Sequence, residues 1–300
     1  MQEARRAVPS ASWPLGGRTP RSGVFGGGST LPELPEVEVT RRGIAQQVAG
    51  ARIDRAVLRA PALRYPIPAG LARTLAGRTL IEAKRRGKYL LLDLDGGHLL
   101  IHLGMSGSLR FVAPGTTPEK HDHADFVFGE QVLRLTDPRR FGALLWLSGD
   151  PLAHPLIAKL GIEPLSRAFT PGWLQQALQG KTVAIKPALM DAGLVVGVGN
   201  IYAAESLFDA GIDPRAPAGR VSLKRLTRLV PAIQTTLRAA IRAGGSTLRN
   251  FRGTDGGMGD FQTRHKVYDR AGLPCLNCGS PIKAIRQGQR SSFYCPRCQR

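Results

Sequence analysis

The sequence predicts an α+β protein in which a strand-rich segment, a helical segment and a cysteine-rich end follow one another. Short apolar segments separated by turn residues occupy positions 52–147, and their spacing suggests an antiparallel sandwich or barrel. After Pro164 the apolar residues recur at helical spacing, and all four cysteines lie within residues 261–300. A chain of 300 residues is long enough for two domains and a small appendage.

Helices are predicted on both sides of the strand-rich segment. Pro35 and Glu36, just ahead of an apolar-periodic run, are typical of a helix start, and Gly50 is typical of a helix end. The predicted helices cover 35–50, Trp173–Leu178, Ile201–Ala210 and Ser222–Arg242. The predicted strands are Arg52–Arg59, Thr79–Arg85, Lys88–Leu94, His98–Leu103, Ser108–Val112, Asp125–Phe128, Val132–Thr136 and Ala143–Leu147.

The charge of the chain favours a polyanionic partner. The sequence contains 42 Lys and Arg against 22 Asp and Glu, which gives a net charge of +20 and a pI near 10.9. Basic residues occur throughout the chain, so nucleic acid is the favoured partner; an anionic membrane surface or a merely solvated basic surface are the alternatives. No apolar run approaches the ~20 residues that a membrane span needs, and no membrane insertion is expected.

Residues 1–31 differ in composition from the rest of the chain. They are rich in Gly, Ser and Pro and contain four arginines and one acidic residue, a composition typical of a disordered extension. An organelle transit peptide and translated sequence upstream of a misplaced start are the alternatives, since a TTG or CTG start codon would be written as Leu31. No apolar core of a signal peptide is present, so secretion is not indicated.

The cysteine spacing predicts a structural zinc site. Cys275 and Cys278 form one pair, Cys295 and Cys298 form another, and sixteen residues separate the pairs. Four thiolates at this spacing can surround Zn²⁺ tetrahedrally on two knuckles joined by a β-hairpin. Two disulfides are the alternative, which a cysteine-free remainder and the lack of a signal peptide disfavour. A metal closed off by four sulfurs holds the fold and does no chemistry.

The segment Pro32-Glu33-Leu34-Pro35-Glu36 allows two interpretations. In the first, these residues only begin a helix. In the second, Pro32 is the first residue of the mature chain, and its nitrogen is a free secondary amine beside the Glu33 carboxylate that can act as a nucleophile. Within the chain as written this nitrogen is an amide and is inert.

A glycine-flanked asparagine precedes the second predicted helix of the helical segment. We expect Asn200 to cap this helix, which leaves the N–H groups of the first turn free to bind phosphate. A plain capped helix would have the same sequence. Together with the long helix that follows, the segment suggests a helix-turn-helix variant.

Three further segments carry side chains that are suited to DNA. Lys88 follows a basic run at the start of an apolar strand, although most such runs are solvated edges. Met105 lies at the tip of a Gly-bounded turn and can act as an apolar wedge between bases or simply pack within the loop. Arg139 and Phe141 share another turn. The segment His121-Asp122-His123 is expected to be polar surface and to bind no metal.

The ordered set of motifs is more specific than its parts. The chain from Pro32 to Arg300 resembles the bacterial formamidopyrimidine-DNA glycosylases, which repair oxidised purines. The related endonuclease VIII type, which acts on oxidised pyrimidines, ranks second because it usually lacks the first motif. The matching segments are PELPEVE (32–38), RRGKYLLL (85–92), IHLGMSGSLR (101–110), EKHDH (119–123), TDPRRFG (136–142), AIKPALMD (184–191), VVGVGNIYAAESLF (195–208) and the four cysteines.

The resemblance implies a three-part fold that binds damaged duplex DNA between its domains. Residues 32–163 would form a catalytic two-layer β-sandwich with a helix, 164–262 a helix-two-turn-helix domain and 263–300 a zinc-finger β-hairpin, with residues 1–31 outside. It also implies base-excision repair by a monomer in the cytoplasm, associated with the nucleoid. One structural Zn²⁺ and no catalytic metal or organic cofactor are expected.

The resemblance also implies the catalytic roles. Pro32, as the free N-terminus, would attack C1′ of the damaged nucleotide, expel the base and form a Schiff base that permits β- and then δ-elimination. Glu33 would act as general acid and base, with support from Glu36. Lys88 would donate a proton in the β-elimination and Arg290 in the δ-elimination.

The implied DNA contacts form two sets. Met105, Arg139 and Phe141 would fill the space that the extruded base leaves, while His121, Lys181 and Asn200 would hold phosphates together with Arg290. The Gly253–Gly259 loop would close over the flipped base. If residue 1 is the true N-terminus, the alternative is a catalytically dead, zinc-containing protein that binds damaged DNA. An unrelated zinc-ribbon or RNA-binding module would explain the cysteines but none of the other motifs.

Overall fold

The computed structural model describes residues 32–246, 254 and 259–300, and it confirms the α+β class. The helices are α1 Leu34–Val48, α2 Leu71–Leu75, α3 Pro155–Ala158, α4 Pro171–Leu178, α5 Ile185–Leu189, α6 Asn200–Asp209 and α7 Leu223–Arg242. The strands are β1 Arg55–Leu58, β2 Leu80–Arg86, β3 Tyr89–Leu94, β4 Gly97–His102, β5 Ser108–Val112, β6 Asp122–Phe128, β7 Gln131–Thr136, β8 Ala143–Leu147, β9 Lys283–Gln287 and β10 Arg290–Tyr294. Short 3-10 turns cover Pro151–Ala153, Ala218–Arg220 and Phe261–Arg264.

The strand-rich segment forms two four-stranded antiparallel sheets. One has the strand order β1-β6-β7-β5 and the other β2-β3-β4-β8. Residues of both sheets share one buried core, with Leu90 and Leu99 from one sheet and Phe126 and Leu133 from the other. Val37 of α1 belongs to the same core. The predicted antiparallel sandwich is therefore correct, and α1 packs on it.

The start of α1 joins this sandwich to the helical segment. Glu33 is the N-cap of α1, Pro35 lies in its first turn, and Gly50 at φ +80° follows its end, as the sequence predicts. Although Val37 packs in the sandwich, Leu34 is fully buried in the core of the helical segment. The first turn of α1 is therefore held between the two cores, which fixes the position of Glu33.

The helical segment is built around α6 and α7. Helix α6 is buried over almost its whole length, and α7 packs its apolar face against α4, α6 and α1. The same core includes Cys275 and Cys295, so the hairpin β9–β10 is attached to the helices and contacts α6. Among the described helices, none has the length and apolarity that crossing a membrane requires.

The structure differs from the predicted elements mainly at strand ends and in short helices. The predicted strand Arg52–Arg59 is reduced to β1, with Arg52 forming only an isolated bridge to Thr79, and the predicted strand that begins at Asp125 begins at Asp122. Helices α2 and α5 were not predicted because five residues are too few to show a helical period. The predicted Gly253–Gly259 loop lies outside the described residues except for Thr254 and Gly259.

Candidate active site and metal centre

The carboxylate of Glu33 caps α6 across the domain junction. Its Oε2 accepts a hydrogen bond of 2.8 Å from the Gly199 N–H, and its Oε1 accepts one of 3.1 Å from the Ile201 N–H. The prediction that Asn200 caps this helix is wrong, because Gly199 is the N-cap and Asn200 is the first helical residue. Two of the N–H groups at the start of this helix, those of Gly199 and Ile201, are therefore already paired, since a carboxylate is a strong acceptor at a helix N-terminus.

The glycines of the same segment allow this close approach. A Cβ atom at residue 199 would lie 2.3 Å from the carboxyl carbon of Glu33. A Cβ atom at residue 197 would lie 2.6 Å from the Cβ of Leu34, and Gly197 has φ +80°. The Leu34 N–H also donates to the Gly197 carbonyl over 3.1 Å. The glycines are therefore explained by the docking of α1 against the start of α6.

Glu33 is buried among charged groups. Its side chain is only 3% exposed, and burial raises its pKa from 4.5 to about 7, against the opposing effects of Lys88 and of the two N–H donors. The charge of Glu36 also contributes to this rise. Pro32, the residue that directly precedes Glu33, is also buried. A carboxyl group with a pKa near neutrality can both accept and donate a proton at physiological pH.

Glu36 lies at the centre of a buried hydrogen-bond network. Its carboxylate accepts hydrogen bonds from the Glu33 N–H at 2.9 Å, the Tyr202 hydroxyl at 2.5 Å and the Ser246 N–H at 2.8 Å. Burial raises the pKa of Glu36, and these donors oppose the rise. The network fixes the backbone at Glu33.

Lys88 and Arg290 come from distant parts of the chain to the same site. Burial is the main cause that lowers the pKa of Lys88; the charge of Arg290 lowers it further, while those of Glu33 and Glu36 oppose the change. Lys88 lies between β2 and β3, whereas Arg290 is the first residue of β10 and its side chain is exposed. Glu33, Lys88 and Arg290 are thus electrostatically connected, although about 260 residues separate the first from the last.

Lys186 is a buried cation of this site to which the sequence analysis gave no role. Its Nζ donates to Asn200 Oδ1 at 2.6 Å, to Ser292 Oγ at 2.7 Å and to the Ser291 carbonyl at 3.0 Å. Burial lowers its pKa to about 7, with Arg290 acting in the same direction and Glu33 against it. The only signal in the sequence is its place within the AIKPALMD segment.

A cavity of about 300 Å³ opens beside these groups. Lys186, Asn200 and Arg290 line it together with Gln287 and Ser292. The two cations and the neutral hydrogen-bond donors of this lining suit an anionic group such as a phosphate; the Asp191 carboxylate, which accepts from the Gly193 N–H, also lines the cavity. Asn200 therefore contributes to the cavity wall through its side chain rather than to the helix cap.

His102 is a second residue that the sequence analysis missed. Its ring packs against Tyr89 with a centroid distance of 4.7 Å, and its Nδ1 accepts from the Gly104 N–H at 3.0 Å. Burial and the charges of Lys88 and Arg64 lower its pKa to about 4. His102 is therefore neutral at neutral pH and lies in the electrostatic range of Lys88.

The three predicted wedge residues lie on two adjoining turns. Ser106 Oγ donates to Asp137 Oδ1 at 2.9 Å and accepts from the Arg139 N–H at 3.2 Å, which links the two turns. The Arg139 guanidinium lies 4.7 Å from the centroid of the Phe141 ring, which is 43% exposed. Met105 is half-buried on the first turn. The turns thus present a cationic, an aromatic and a thioether side chain side by side.

His121 and Lys181 lie apart from the cavity. His121 is half-buried at the start of the chain segment that enters β6, and Lys181 is half-buried in the turn after α4. Neither lines the cavity that holds Lys186. His123 is buried, with Nε2 2.9 Å from the Asp137 carbonyl. The expectation that His121-Asp122-His123 is polar surface is therefore wrong, because Asp122 and His123 are each only 2% exposed and both have partners within the sandwich.

The four cysteines fit a tetrahedral zinc ion. All four Sγ atoms lie within 4.8 Å of one another, with 3.9 Å between Cys275 and Cys298 and 3.5 Å between Cys278 and Cys295. Four sulfurs about 2.3 Å from a zinc ion would lie about 3.8 Å apart, whereas a disulfide needs about 2.05 Å. The two cysteine pairs are joined by the β9–β10 hairpin. The centre is structural, and it holds the hairpin that carries Arg290.

Comparison with known proteins gives the family. Residues 31–144 match the formamidopyrimidine-DNA glycosylase N-terminal domain, 160–252 its H2TH domain, and 272–300 the zinc finger found in FPG and IleRS. The formamidopyrimidine-DNA glycosylase of Aromatoleum aromaticum is 57% identical over 270 residues, which are 90% of this chain and 100% of the relative.

Solved structures agree with this result. A point mutant of Lactococcus lactis FPG in complex with DNA containing Fapy-dG has a TM-score of 0.84 and 33% identity, with 90% of this chain and 100% of that chain covered. The wild-type L. lactis protein with DNA containing an oxidised pyrimidine has a TM-score of 0.82, 33% identity and the same coverage. On sequence, fold and cysteine centre alike, the chain belongs to the formamidopyrimidine-DNA glycosylase family.

Proposed function

We propose that this DNA glycosylase excises oxidised purines, namely 8-oxoguanine and formamidopyrimidines, from duplex DNA and then cleaves the strand in base-excision repair. The proposal is carried by the environment of Glu33. This buried carboxyl group directly follows Pro32, has a pKa of about 7 and interacts with the charge of Lys88. The Fapy-dG bound by the L. lactis relative supports the purine class.

The proposed chemistry begins at the nitrogen of Pro32. As a free secondary amine with a pKa of ~8, it attacks C1′ and displaces the base, and the adduct becomes an iminium Schiff base. Glu33 moves protons at the sugar. The iminium acidifies the 2′ proton, and loss of that proton expels the 3′ phosphate with Lys88 as proton donor. Arg290 then serves as donor when the 5′ phosphate leaves.

Placing the mature N-terminus at Pro32 is part of the proposal. Two observations support it: the family match begins at residue 31, and the whole length of the A. aromaticum relative is covered by 90% of this chain. Residues 1–31 would then be absent from the working protein. With them present, the Pro32 nitrogen is an amide without a lone pair to donate.

Catalysis and DNA binding are assigned to different segments of the chain. Residues 32–163 carry the nucleophile, 164–262 and 263–300 hold the DNA, and the protein acts in the cytoplasm on the nucleoid. Met105, Arg139 and Phe141 fill the space of the flipped base, as their adjoining turns allow. The phosphate-binding residues are His121, Lys181, Asn200, Arg290 and, from the cavity described above, Lys186.

Borohydride trapping tests the proposal. Borohydride reduces the iminium to a stable amine, so a covalent adduct forms on a duplex with one 8-oxoguanine opposite cytosine. We expect the adduct with a protein that begins Met-Pro32 and loses its Met, and none with an intact 1–300 chain. An adduct with a verified, uncleaved long chain would show that another amine does the chemistry. Binding without an adduct in both forms would favour the catalytically dead DNA-binding protein.

The second candidate function is excision of oxidised pyrimidines. The L. lactis relative that was solved with DNA containing an oxidised pyrimidine favours it. The same trapping assay on duplexes with an oxidised pyrimidine and with 8-oxoguanine ranks the two lesions. Faster adduct formation on the pyrimidine duplex would replace the purine assignment and leave the Pro32 mechanism intact.

A further inference from the structure

Helix α7 presents a row of basic side chains to solvent. Lys224, Arg228, Arg238 and Arg242 are exposed, and none of them forms an ion pair with a described residue. The helix contains no acidic residue, and neither does α4, which packs along it. Arg225 differs, because its guanidinium is engaged by the Gly211 and Arg300 carbonyls. We call the four free cations the α7 stripe.

The spacing of the α7 stripe makes it a straight line of charge. At 3.6 residues per turn, positions 224, 228, 238 and 242 fall within an arc of about 80°. Eighteen residues at 1.5 Å each separate the first from the last, so the row is about 27 Å long. The two cation pairs flank Pro231 and Thr235, which are also exposed. The face is therefore open along its length, with one cation pair at each end and about 15 Å without a charge between Arg228 and Arg238.

The stripe lies on the opposite side of α7 from the candidate active site. The buried face of α7, which includes Leu229 and Ile233, packs against α6 and α1. The starts of those two helices hold Asn200 and Glu33. The active site and the α7 stripe therefore lie on opposite sides of α7. One straight duplex bound at the active site does not explain the stripe.

We propose that the α7 stripe binds a second segment of duplex DNA while the active site holds the first. A rigid duplex offers phosphates every ~3.4 Å along each strand, so a 27 Å row of cations faces about eight base pairs. An anionic membrane is a poorer match, because a helix that binds membranes inserts its apolar face, and that of α7 is committed to the core. The contact is with phosphate and carries no sequence preference.

This inference rests on the proposed function only in assigning the first duplex to the active site. A protein that holds two DNA segments can pass from one to the other without dissociating into solution. The stripe would therefore serve the search for lesions and leave the chemical steps at Glu33 unchanged.

A two-duplex binding assay tests the inference. The protein beginning at Pro32 is first bound to a duplex with a tetrahydrofuran abasic-site analogue, and a second, undamaged duplex with a different fluorophore is then titrated in. The stripe variant carries Lys224→Gln, Arg228→Gln, Arg238→Gln and Arg242→Gln. The control carries four neutral substitutions at exposed basic residues of the N-terminal half, namely Arg52→Gln (paired with Asp54), Arg55→Gln on β1, Arg73→Gln on α2 and Lys159→Gln after α3.

We expect a ternary complex with the wild type and the control, and at least a tenfold weaker one with the stripe variant. Loss of four phosphate contacts would lower the slope of log K against log salt for the second duplex by about 3.6. Equal ternary binding by stripe variant and control, or binding of single-stranded RNA but not of the duplex, overturns the inference.

The same experiment separates this inference from the proposed function. Absence of the first, binary complex counts against the proposed function. A binary complex without a ternary one counts against the stripe alone. If no binary complex forms, the stripe can still be tested by measuring log K against log salt for the stripe variant and the control on undamaged duplex. Equal slopes for the two proteins would refute a phosphate contact at α7.

Discussion

Replacing Glu33 by Gln is expected to remove a loss of stability that the wild type suffers between pH 5 and pH 8, while also removing its chemistry. The carboxyl group is 3% exposed and accepts hydrogen bonds from two N–H groups of the α6 start. Gln has nearly the same shape but only one acceptor oxygen, so its NH₂ group faces one of the two N–H donors at every pH, a cost that does not depend on pH. Only the ionised form of Glu33 must place a charge in a buried site, and Gln avoids that charge at every pH.

The size of the effect follows from the pKa of Glu33. The pKa rises from 4.5 to about 7 on folding, and each pKa unit corresponds to about 1.4 kcal/mol. The folded protein thus holds the proton more tightly than the unfolded chain does. The stabilisation from this proton is complete below pH ~4.5 and is lost as the pH rises through 7. Between pH 5 and pH 8 the wild type should lose about 2.5 kcal/mol that the Gln variant keeps.

Urea unfolding of both proteins at pH 5 and pH 8 measures this difference. We expect the free energy of unfolding of the variant, measured relative to the wild type, to rise by about 2–3 kcal/mol between pH 5 and pH 8. Glu82→Gln, which replaces an exposed carboxylate on β2, is the control and should change neither value by more than about 0.5 kcal/mol. If the pH dependence of wild type and Glu33→Gln is the same, Glu33 does not titrate in the way argued here.

Three further outcomes are expected from the same structure. Gly199→Ala should lower strand cleavage by about 100-fold because its Cβ would displace the Glu33 carboxylate, whereas Gly149→Ala, whose Cβ meets no atom within 4 Å, should leave cleavage unchanged. Removing zinc with a chelator should abolish cleavage reversibly, since the hairpin carries Arg290; activity that survives verified metal loss would contradict a structural centre. Lys186→Met should lower the free energy of unfolding by about 1–3 kcal/mol in urea titrations, because the buried Ser292 hydroxyl and two less buried acceptors lose their donor; an unchanged midpoint would contradict this account.

The local features of the fold are the ones that the sequence predicts well. Antiparallel strands alternate with turn residues that are recognisable one by one, and α7 is long enough to show its amphipathic period. The zinc centre depends on two short cysteine pairs, so its donors are identifiable without knowledge of the fold. In each case the residues that form the strand pair, the helix or the metal site lie within about twenty residues of one another in the sequence.

The site was harder to predict because its contacts join distant segments. Asn200 is a residue type and position typical of an N-cap, yet the helix is capped by Glu33. Glu33 lies 166 residues before Gly199, whose N–H it accepts. Lys186 is an ordinary lysine in sequence and becomes a site residue only because β10 packs beside a five-residue helix. Local propensity indicates that an N–H group needs an acceptor, but tertiary packing decides which acceptor it receives.

The location of Glu33 explains why its chemistry and its structural role are combined in one residue. A carboxyl group whose pKa is raised to near neutrality needs burial, and burial of a carboxylate needs donors. The start of α6 supplies two N–H donors that would otherwise lack partners, so the same contact satisfies the helix and holds the acid in place. Because burial outweighs these two hydrogen bonds, the pKa remains high and the fold is less stable at pH 8 than at pH 5. The part of this loss that Glu33→Gln removes therefore measures the stability that the protein loses by keeping a proton-transferring group beside Pro32.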